Sequence, residues 1–125
     1  MTIQQAINEV DNLKPNAFGI KDKIAWLSRL DARVFMEIID SHEYNTDEEE
    51  IEFHSYGPGD EDKELLAGEP YDEMYIRWLE AQIDYNNMEY EAFNNSNAVF
   101  ESVFASFRNA YNRSHMPKSR RKIFY

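Results

Sequence analysis

Residues 71–113 carry the most regular helical pattern of the chain and read YDEMYIRWLEAQIDYNNMEYEAFNNSNAVFESVFASFRNAYNR. Apolar and aromatic side chains recur there at helical spacing, which places them on one face of an α-helix. Pro70 suits the first position of such a helix. The pattern therefore predicts a helix over residues 71–113. Its apolar face consists of Tyr75, Leu79, Ile83, Tyr90, Phe93, Phe100, Phe104, Phe107 and Tyr111.

This predicted helix has one weak point, at residues 94–96. Asn94, Asn95 and Ser96 are three adjacent residues of poor helix propensity. An unbroken helix of this length would extend for about 60 Å, which is longer than a compact domain of this size. We therefore expect that the helix either breaks near 94–96 and folds back, or extends because partner molecules cover it.

Two shorter helices are predicted before it. Over residues 3–13, apolar side chains repeat at helical spacing behind Thr2, a good N-cap residue, and Pro15 ends the run. Over residues 20–42, a second apolar stripe continues without a proline or glycine. The charged side chains of this segment, Lys23 among them, fall mostly between the apolar positions and are predicted to face water.

The segment between the helices, residues 43–69, is irregular and acidic. It shows no helical period, and Gly57–Asp60 is a strong turn signal. Weak alternation around this turn predicts at most a small β-hairpin, so we interpret the segment as an acidic loop or hairpin arm that projects from the helices. Together these patterns predict an all-α fold, a helical bundle in a single domain over residues 1–117, followed by a basic tail at 118–125.

The charge of the chain is strongly segregated. It has 125 residues, no cysteine and a formal net charge of -11, and 14 of its 24 acidic residues lie between Asp40 and Glu73. From Arg113 onward the charged residues are five cations, so residues 1–112 hold eight cations against 24 acids and carry -16. An acidic body repels nucleic acid and anionic membranes, and no apolar run has the length of a membrane span. We predict no specific nucleic-acid binding and no membrane association.

The residues with catalytic or metal-binding chemistry form no recognisable motif. The histidines, His42, His54 and His115, fall in three segments without the i, i+4 spacing of a helical metal site. The acids at 60–64 lack the ligand spacing of a calcium loop. The absence of cysteine excludes thiol chemistry, and no nucleophile elbow or phosphate-binding glycine loop is present. We predict no enzymatic activity, no metal and no cofactor.

The aromatic face of residues 71–113 is a candidate protein interface. Acidic residues surround it, whereas a surface that stacks nucleobases needs cations beside it. Aromatic residues are enriched at protein interfaces, although core packing within the chain explains the same stripe. The candidate interface residues are Tyr90, Phe93, Phe100, Phe104, Phe107 and Tyr111.

The basic tail is a second candidate site. It joins a cationic block to an apolar end, a composition typical of a docking peptide whose aromatic side chains enter a groove while its cations meet an acidic rim. A solvated, unbound tail and a contact with nucleic acid are the alternatives. The candidate docking residues are Arg120, Arg121, Lys122, Phe124 and Tyr125.

Two parts of the chain resemble a known group of proteins. In the first, residues 2–16 lead into KIAWLSRLD at 23–31. In the second, PYDEMY at 70–75 precedes EAQIDY at 80–85 and YNRSHMP at 111–117. Together they resemble small proteins encoded in the structural modules of tailed phages and prophages of Gram-positive bacteria, which are helical head–tail connector, or adaptor, subunits. The resemblance covers most of the chain apart from the acidic middle and the basic tail.

The resemblance implies a virion structural protein that assembles as a ring between portal and tail. It implies a homo-oligomer, portal or tail proteins as partners, and a location in the bacterial cytoplasm during assembly and in the virion afterwards. It implies no catalytic residue. The main alternative is an acidic phage regulatory or inhibitor protein that mimics the charge of DNA and binds a basic host protein. A metal-dependent enzyme built from scattered carboxylates is a third, less favoured alternative.

Overall fold

The computed structural model describes residues 1–39 and 52–114. They form helices α1 (Ile3–Leu13), α2 (Ile20–Val34), α3 (Glu73–Asn86) and α4 (Tyr90–Ser114), and α2 continues into one turn of π-helix at Phe35–Ile39. These two ranges contain no strand. The predicted all-α class is confirmed, and so is the long C-terminal helix, which is the 25-residue α4. The predicted continuation of the second helix to 42 and the basic tail lie outside the described residues.

Helix α1 begins and ends where the sequence predicts. The Thr2 hydroxyl accepts a hydrogen bond from the Gln5 amide (3.1 Å), and the Gln5 side chain accepts one from the Thr2 amide (2.8 Å). This reciprocal pair is a capping box, which satisfies two amides that the first turn leaves free. Pro15 disfavours helical geometry at Lys14, so the helix ends at Leu13. The buried face consists of Ile3, Ala6, Ile7 and Val10.

Helix α2 packs its apolar stripe inward, but the prediction that its charged side chains face water is wrong for Lys23. Lys23 does not face water: it is 3% exposed. Its Nζ donates to Asp11 Oδ1 (2.7 Å) and to the Phe18 carbonyl (2.8 Å). These two acceptors compensate for the desolvation of the ammonium group. Lys23 thereby ties the start of α2 to α1 across the connecting turn.

Helices α3 and α4 form an antiparallel hairpin in place of one continuous helix over residues 71–113. Their aromatic contacts are nested about the turn, as in any antiparallel pair. The ring centroids of Tyr85 and Phe93, near the turn, are 5.3 Å apart, and those of Trp78 and Phe100, further from it, are 5.1 Å apart. The chain reverses at residues 87–89. The break therefore precedes the weak point predicted at 94–96, which lies inside α4.

The reversal between the two helices is a Schellman motif. The Glu89 amide donates to the Asp84 carbonyl (2.9 Å), and the Met88 amide donates to the Tyr85 carbonyl (3.0 Å). Met88 has a φ of 61°, the left-handed conformation that glycine usually supplies at this position. Because neither glycine nor proline marks the turn, the amino-acid pattern did not predict it.

The segment at residues 52–69, the described part of the predicted arm, packs against the helices. The predicted turn is present: the Asp60 amide donates to the Gly57 carbonyl (3.0 Å), and Gly59 has a φ of 98° that suits glycine. The segment forms a loop without a hairpin, and its bridge pairing joins Glu64 to Thr2. Leu65 and Ala67 are buried. The projection that the composition predicted is therefore not found in this part of the arm.

The hydrophobic core lies where all four helices and this loop meet. Helix α3 provides its centre, since it contacts α1, α2 and α4. Its N-cap is Asp72, so Pro70 precedes the helix and does not occupy its first position. The largest fully buried side chains are Tyr75, Phe100, Phe104, Ile3, Ile24, Leu27, Leu30, Ile38, Met74, Leu79, Ile83 and Val10.

Candidate protein interface

The turn between α3 and α4 exposes a cluster of large apolar side chains, which we call the hairpin tip: Tyr85, Met88, Tyr90 and Phe93. Tyr85 is 53% exposed, Met88 75% and Tyr90 56%. The Tyr85 ring contacts those of Tyr90 and Phe93 edge-on, with centroids 5.9 and 5.3 Å apart. None of the four residues belongs to the hydrophobic core, and clustered exposure of this kind is typical of a protein interaction site.

A shallow depression of about 480 Å³ lies next to the hairpin tip, at the start of α4. We call it the tip groove, and it is lined by Glu89, Tyr90, Glu91, Ala92 and Asn95. Two exposed carboxylates thus flank an exposed aromatic ring. Such a surface suits a ligand that carries both cationic and apolar groups, because each half of the surface matches one of them.

The six predicted interface residues fall into two groups. Phe100, Phe104 and Phe107 are buried in the core of the chain itself, at 0%, 1% and 8% exposure. Tyr111 packs against Phe107 at the far end of α4 (6.0 Å between ring centroids). Tyr90 and Phe93 belong to the hairpin tip. The structure thus brings only these last two together at an exposed surface, beside Tyr85 and Met88, which the prediction had not included.

A local signal for the hairpin tip does exist in the sequence. Asn86 and Asn87 are adjacent residues of low helix propensity, and they directly precede Met88. However, Ile83 and Tyr90 are seven residues apart and preserve the helical register across the turn. The apolar spacing therefore predicted a continuous helix through residues 86–87, although the asparagine pair favours a turn there.

A buried carboxylate of α2 organises the contacts around the start of α3, away from the hairpin tip. Asp31 is fully buried, and three donors surround it: the hydroxyls of Tyr56 (2.5 Å) and Tyr75 (2.6 Å), and the Leu66 amide (3.0 Å). The Tyr75 hydroxyl also accepts a hydrogen bond from the Ala67 amide (2.8 Å). Asp31 therefore holds the loop of residues 52–69 against α2 and α3.

Burial and charge shift the pKa values in this cluster. Burial raises the pKa of Asp31, although its three hydrogen bonds oppose that change. Burial and the neighbouring carboxylate both raise the pKa of Tyr75 well above its usual value, and they raise that of Tyr56 too. Since Asp31 is inaccessible to solvent, we interpret the cluster as a part of the core and not as a site that meets a substrate.

A second buried carboxylate supports the hairpin tip from inside. Asp84 is 1% exposed, and it accepts hydrogen bonds from Lys14 Nζ (2.5 Å) and from the Ser96 hydroxyl (2.9 Å). Three helices therefore meet at this one residue: the end of α1, α3 and α4. The contact fixes the position of Tyr85, which is the next residue in the chain, relative to the first turns of α4.

Other kinds of site are not indicated in the part of the chain that the structure describes. Within residues 1–39 and 52–114, no three acidic or histidine side chains are grouped as a metal site. None of the helices in those ranges has the length and apolarity to cross a membrane. The predicted docking residues Arg120, Arg121, Lys122, Phe124 and Tyr125 lie outside them.

The chain matches no protein-family model, no curated protein and no solved structure. The fold and the site together define an all-α protein that has an acidic and aromatic surface at one end of a helical hairpin.

Replacing Met88 with glycine is expected to stabilise the fold. A non-glycine residue in the left-handed conformation costs about 1–2 kcal/mol, of which the greater unfolded-state freedom of glycine cancels a part. We therefore expect Met88→Gly to raise the free energy of unfolding by about 0.5–1 kcal/mol, measured by urea denaturation. Met36→Gly is the matched control, because Met36 is also exposed but lies in a helical turn, and this change is expected to destabilise. A loss of stability in Met88→Gly would contradict the strain argument.

Proposed function

We propose that the protein is a non-enzymatic structural subunit of a phage or prophage virion, and that it assembles with copies of itself as a head–tail connector ring. The observation that carries the proposal is the hairpin tip, a large apolar cluster exposed on an otherwise acidic protein. The resemblance of residues 2–31 and 70–117 to connector subunits supports the virion role. Portal or tail proteins are the further partners that the proposal implies.

The conformation of Met88 supports an intermolecular role for the hairpin tip. Its side chain is largely exposed and its backbone is left-handed, so it contributes little to the folding of the isolated chain. Residues that combine exposure with backbone strain occur at functional surfaces more often than elsewhere. A partner surface that covers Met88, Tyr85 and Tyr90 would bury their apolar area and favour association.

Concentration-dependent self-association is the expected result for the wild-type protein. Native mass spectrometry and sedimentation velocity, over a range from about 1 to 500 μM, should show a monomer that converts to one closed oligomer, as cyclic symmetry requires. Met88→Gly should weaken this association while it stabilises the subunit. Met36→Ala, which removes an exposed methionine from the π-helical turn after α2, should leave association unchanged.

Two results would argue against the proposal. A wild-type protein that remains monomeric over the whole range, alone and with portal protein, does not form a connector. A monomer or small dimer that instead binds basic proteins in a salt-sensitive way would support the charge-mimicking inhibitor.

A further inference from the structure

The tip groove has the charge and the surface of a receptor for a basic, aromatic segment. Glu89 and Glu91 are exposed on either side of Tyr90, and no cation of residues 1–39 or 52–114 forms an ion pair with either carboxylate. The neighbouring side chains Tyr85 and Met88 extend the groove with apolar surface. A ligand for it therefore needs cations to pair with the two glutamates and apolar groups to cover the hairpin tip.

The chain itself contains a segment of this composition. The basic tail reads KSRRKIFY and holds four of the 13 cations of the protein within residues 118–122, followed by three apolar residues. Five of the nine lysines and arginines within the described residues already form ion pairs: Lys14, Lys23, Arg33, Lys63 and Arg77. The basic tail is thus the densest source of cations that could pair with Glu89 and Glu91.

The length of α4 favours a tail that comes from another copy. Along the helix axis, Ser114 and Glu91 are about 35 Å apart at 1.5 Å per residue. The seven residues from Ser114 to Arg121 span only about 25 Å when fully extended. Within one chain, Arg121 and Glu91 therefore meet only if the tail is fully extended along α4 and both side chains bridge the remaining distance of about 10 Å. A second copy is not subject to this limit.

We propose that the basic tail of one copy, residues 118–125, docks in the tip groove of a second copy. Arg120, Arg121 and Lys122 pair with Glu89 and Glu91, while Phe124 and Tyr125 cover the hairpin tip. Because the groove and the tail are different surfaces of the chain, the contact is heterologous, and repetition of it closes into a ring or continues as a filament. The inference rests on the proposed function, to which it adds the surfaces that join the subunits.

Charge reversal on either side tests the contact in the full chain. Glu89→Lys with Glu91→Lys should weaken self-association at least about tenfold, and Arg120→Glu with Arg121→Glu and Lys122→Glu should do the same. Combining all five substitutions in one chain should restore association, because the charges again match. The control for the groove variant is Asp62→Lys with Glu69→Lys, which makes the same change in net charge at exposed residues that do not line the tip groove and should leave association unchanged.

A peptide experiment separates this contact from ring formation. A fluorescent peptide of residues 115–125 should bind the full-length wild-type protein in an anisotropy titration and should bind more weakly as salt rises. It should bind at least about tenfold more weakly to the Glu89→Lys, Glu91→Lys variant. A peptide with Phe124→Ser and Tyr125→Ser should also bind more weakly, because the apolar half of the contact is lost.

The outcomes of these experiments distinguish the tail contact from the connector ring. Closed oligomers that persist in both charge-reversal variants would overturn the tail contact and leave the connector proposal intact. Charge-sensitive association that yields only open filaments would support the tail contact and overturn the connector ring, whereas a protein that never self-associates would overturn both. At a concentration at which the wild type is monomeric, a peptide that binds only the variant with reversed tail charges would show that the groove is filled by the tail of its own chain, which overturns the role of the second copy.

Discussion

Replacement of Asp31 by alanine is expected to lower the free energy of unfolding by about 3–5 kcal/mol. The substitution removes three hydrogen bonds from a fully buried carboxylate and leaves the hydroxyls of Tyr56 and Tyr75 and the amide of Leu66 without their acceptor. Each unsatisfied buried donor costs about 1–3 kcal/mol. Since small domains are stable by about 5–15 kcal/mol, this one change removes a large share of the total.

Urea denaturation followed by tryptophan fluorescence measures this effect, because Trp26 and Trp78 both pack in or against the core. The matched control is Asp22→Ala, an exposed aspartate in the first turn of the same helix, for which we expect a loss below about 1 kcal/mol. Tyr75→Phe should cost more than Tyr56→Phe, because the Tyr75 hydroxyl both donates to Asp31 and accepts from Ala67. Equal effects of Asp31→Ala and Asp22→Ala would refute the structural role of the cluster.

The stability that Asp31 contributes depends on pH with a definite sign. Burial raises the pKa of Asp31 above its usual value of 3.8, so the folded protein holds this proton more tightly than the unfolded chain does. The stabilisation from this protonated carboxyl is present at low pH and is lost as the pH rises from about 4 through the folded-state pKa. The stability difference between wild type and Asp31→Asn, which cannot ionise, should therefore shrink over that interval. A difference that grows with pH would show that the folded-state pKa is lowered.

The second large effect is expected at Lys14. Replacing it with methionine keeps most of the aliphatic stem but leaves the Asp84 carboxylate buried with only the Ser96 hydroxyl as a side-chain partner. Removing one member of a buried ion pair costs about 3–5 kcal/mol, and we expect about 2–3 kcal/mol here because Lys14 is partly exposed. The loss should appear in the same urea titration.

A double variant distinguishes the buried charge from the packing at this position. Lys14→Met combined with Asp84→Leu should recover most of the lost stability, since an apolar pair of similar size needs no compensating charge. Lys21→Met, which removes an exposed lysine from α2, is the control and should change stability by less than about 0.5 kcal/mol. A double variant that is less stable than Lys14→Met would contradict this account.

The amino-terminal helices could be predicted from the sequence because local and tertiary signals agree there. In α1, the cap at Thr2, the apolar spacing and the proline at Pro15 all specify the same boundaries. In α2, the apolar stripe specifies which side faces the core. The burial of Lys23 could not be predicted from α2 alone, because its partners Asp11 and Phe18 come from the preceding segment.

The hairpin could not be predicted, because its turn depends on tertiary contacts. The weak helix formers at residues 94–96 remain helical, since the Ser96 hydroxyl bonds within the hairpin to Asp84 of the facing helix. The turn at residues 87–89 instead uses a left-handed Met88, a residue type that rarely marks such a turn. The apolar stripe therefore forms an internal contact between α3 and α4, and only Tyr90 and Phe93, in its middle, lie at the exposed hairpin tip.

The candidate site was predicted in part. Aromatic side chains and acidic surroundings indicated a protein interface, and Tyr90 and Phe93 do lie at the exposed end of the hairpin. Met88 was missed because it lies outside the apolar stripe and its residue type does not indicate the left-handed turn that exposes it. The Asp31 cluster was also missed, because its donors Tyr56, Leu66 and Tyr75 are distant in the chain and come together only in the fold.

The first turn of α1 bears on the order in which the chain folds. The amides of Ile3 and Gln4 donate to the carbonyls of Lys63 (3.0 Å) and Glu61 (2.9 Å), about sixty positions further along the chain. Such hydrogen bonds close a long loop, whose entropy must be lost before the contact forms. During synthesis on the ribosome, α1 precedes these acceptors, so the amides of Ile3 and Gln4 are paired with them only after residue 63 has followed. Slow elongation beyond this point, rather than within α1, should therefore control when the amino-terminal helix becomes protected from proteolysis.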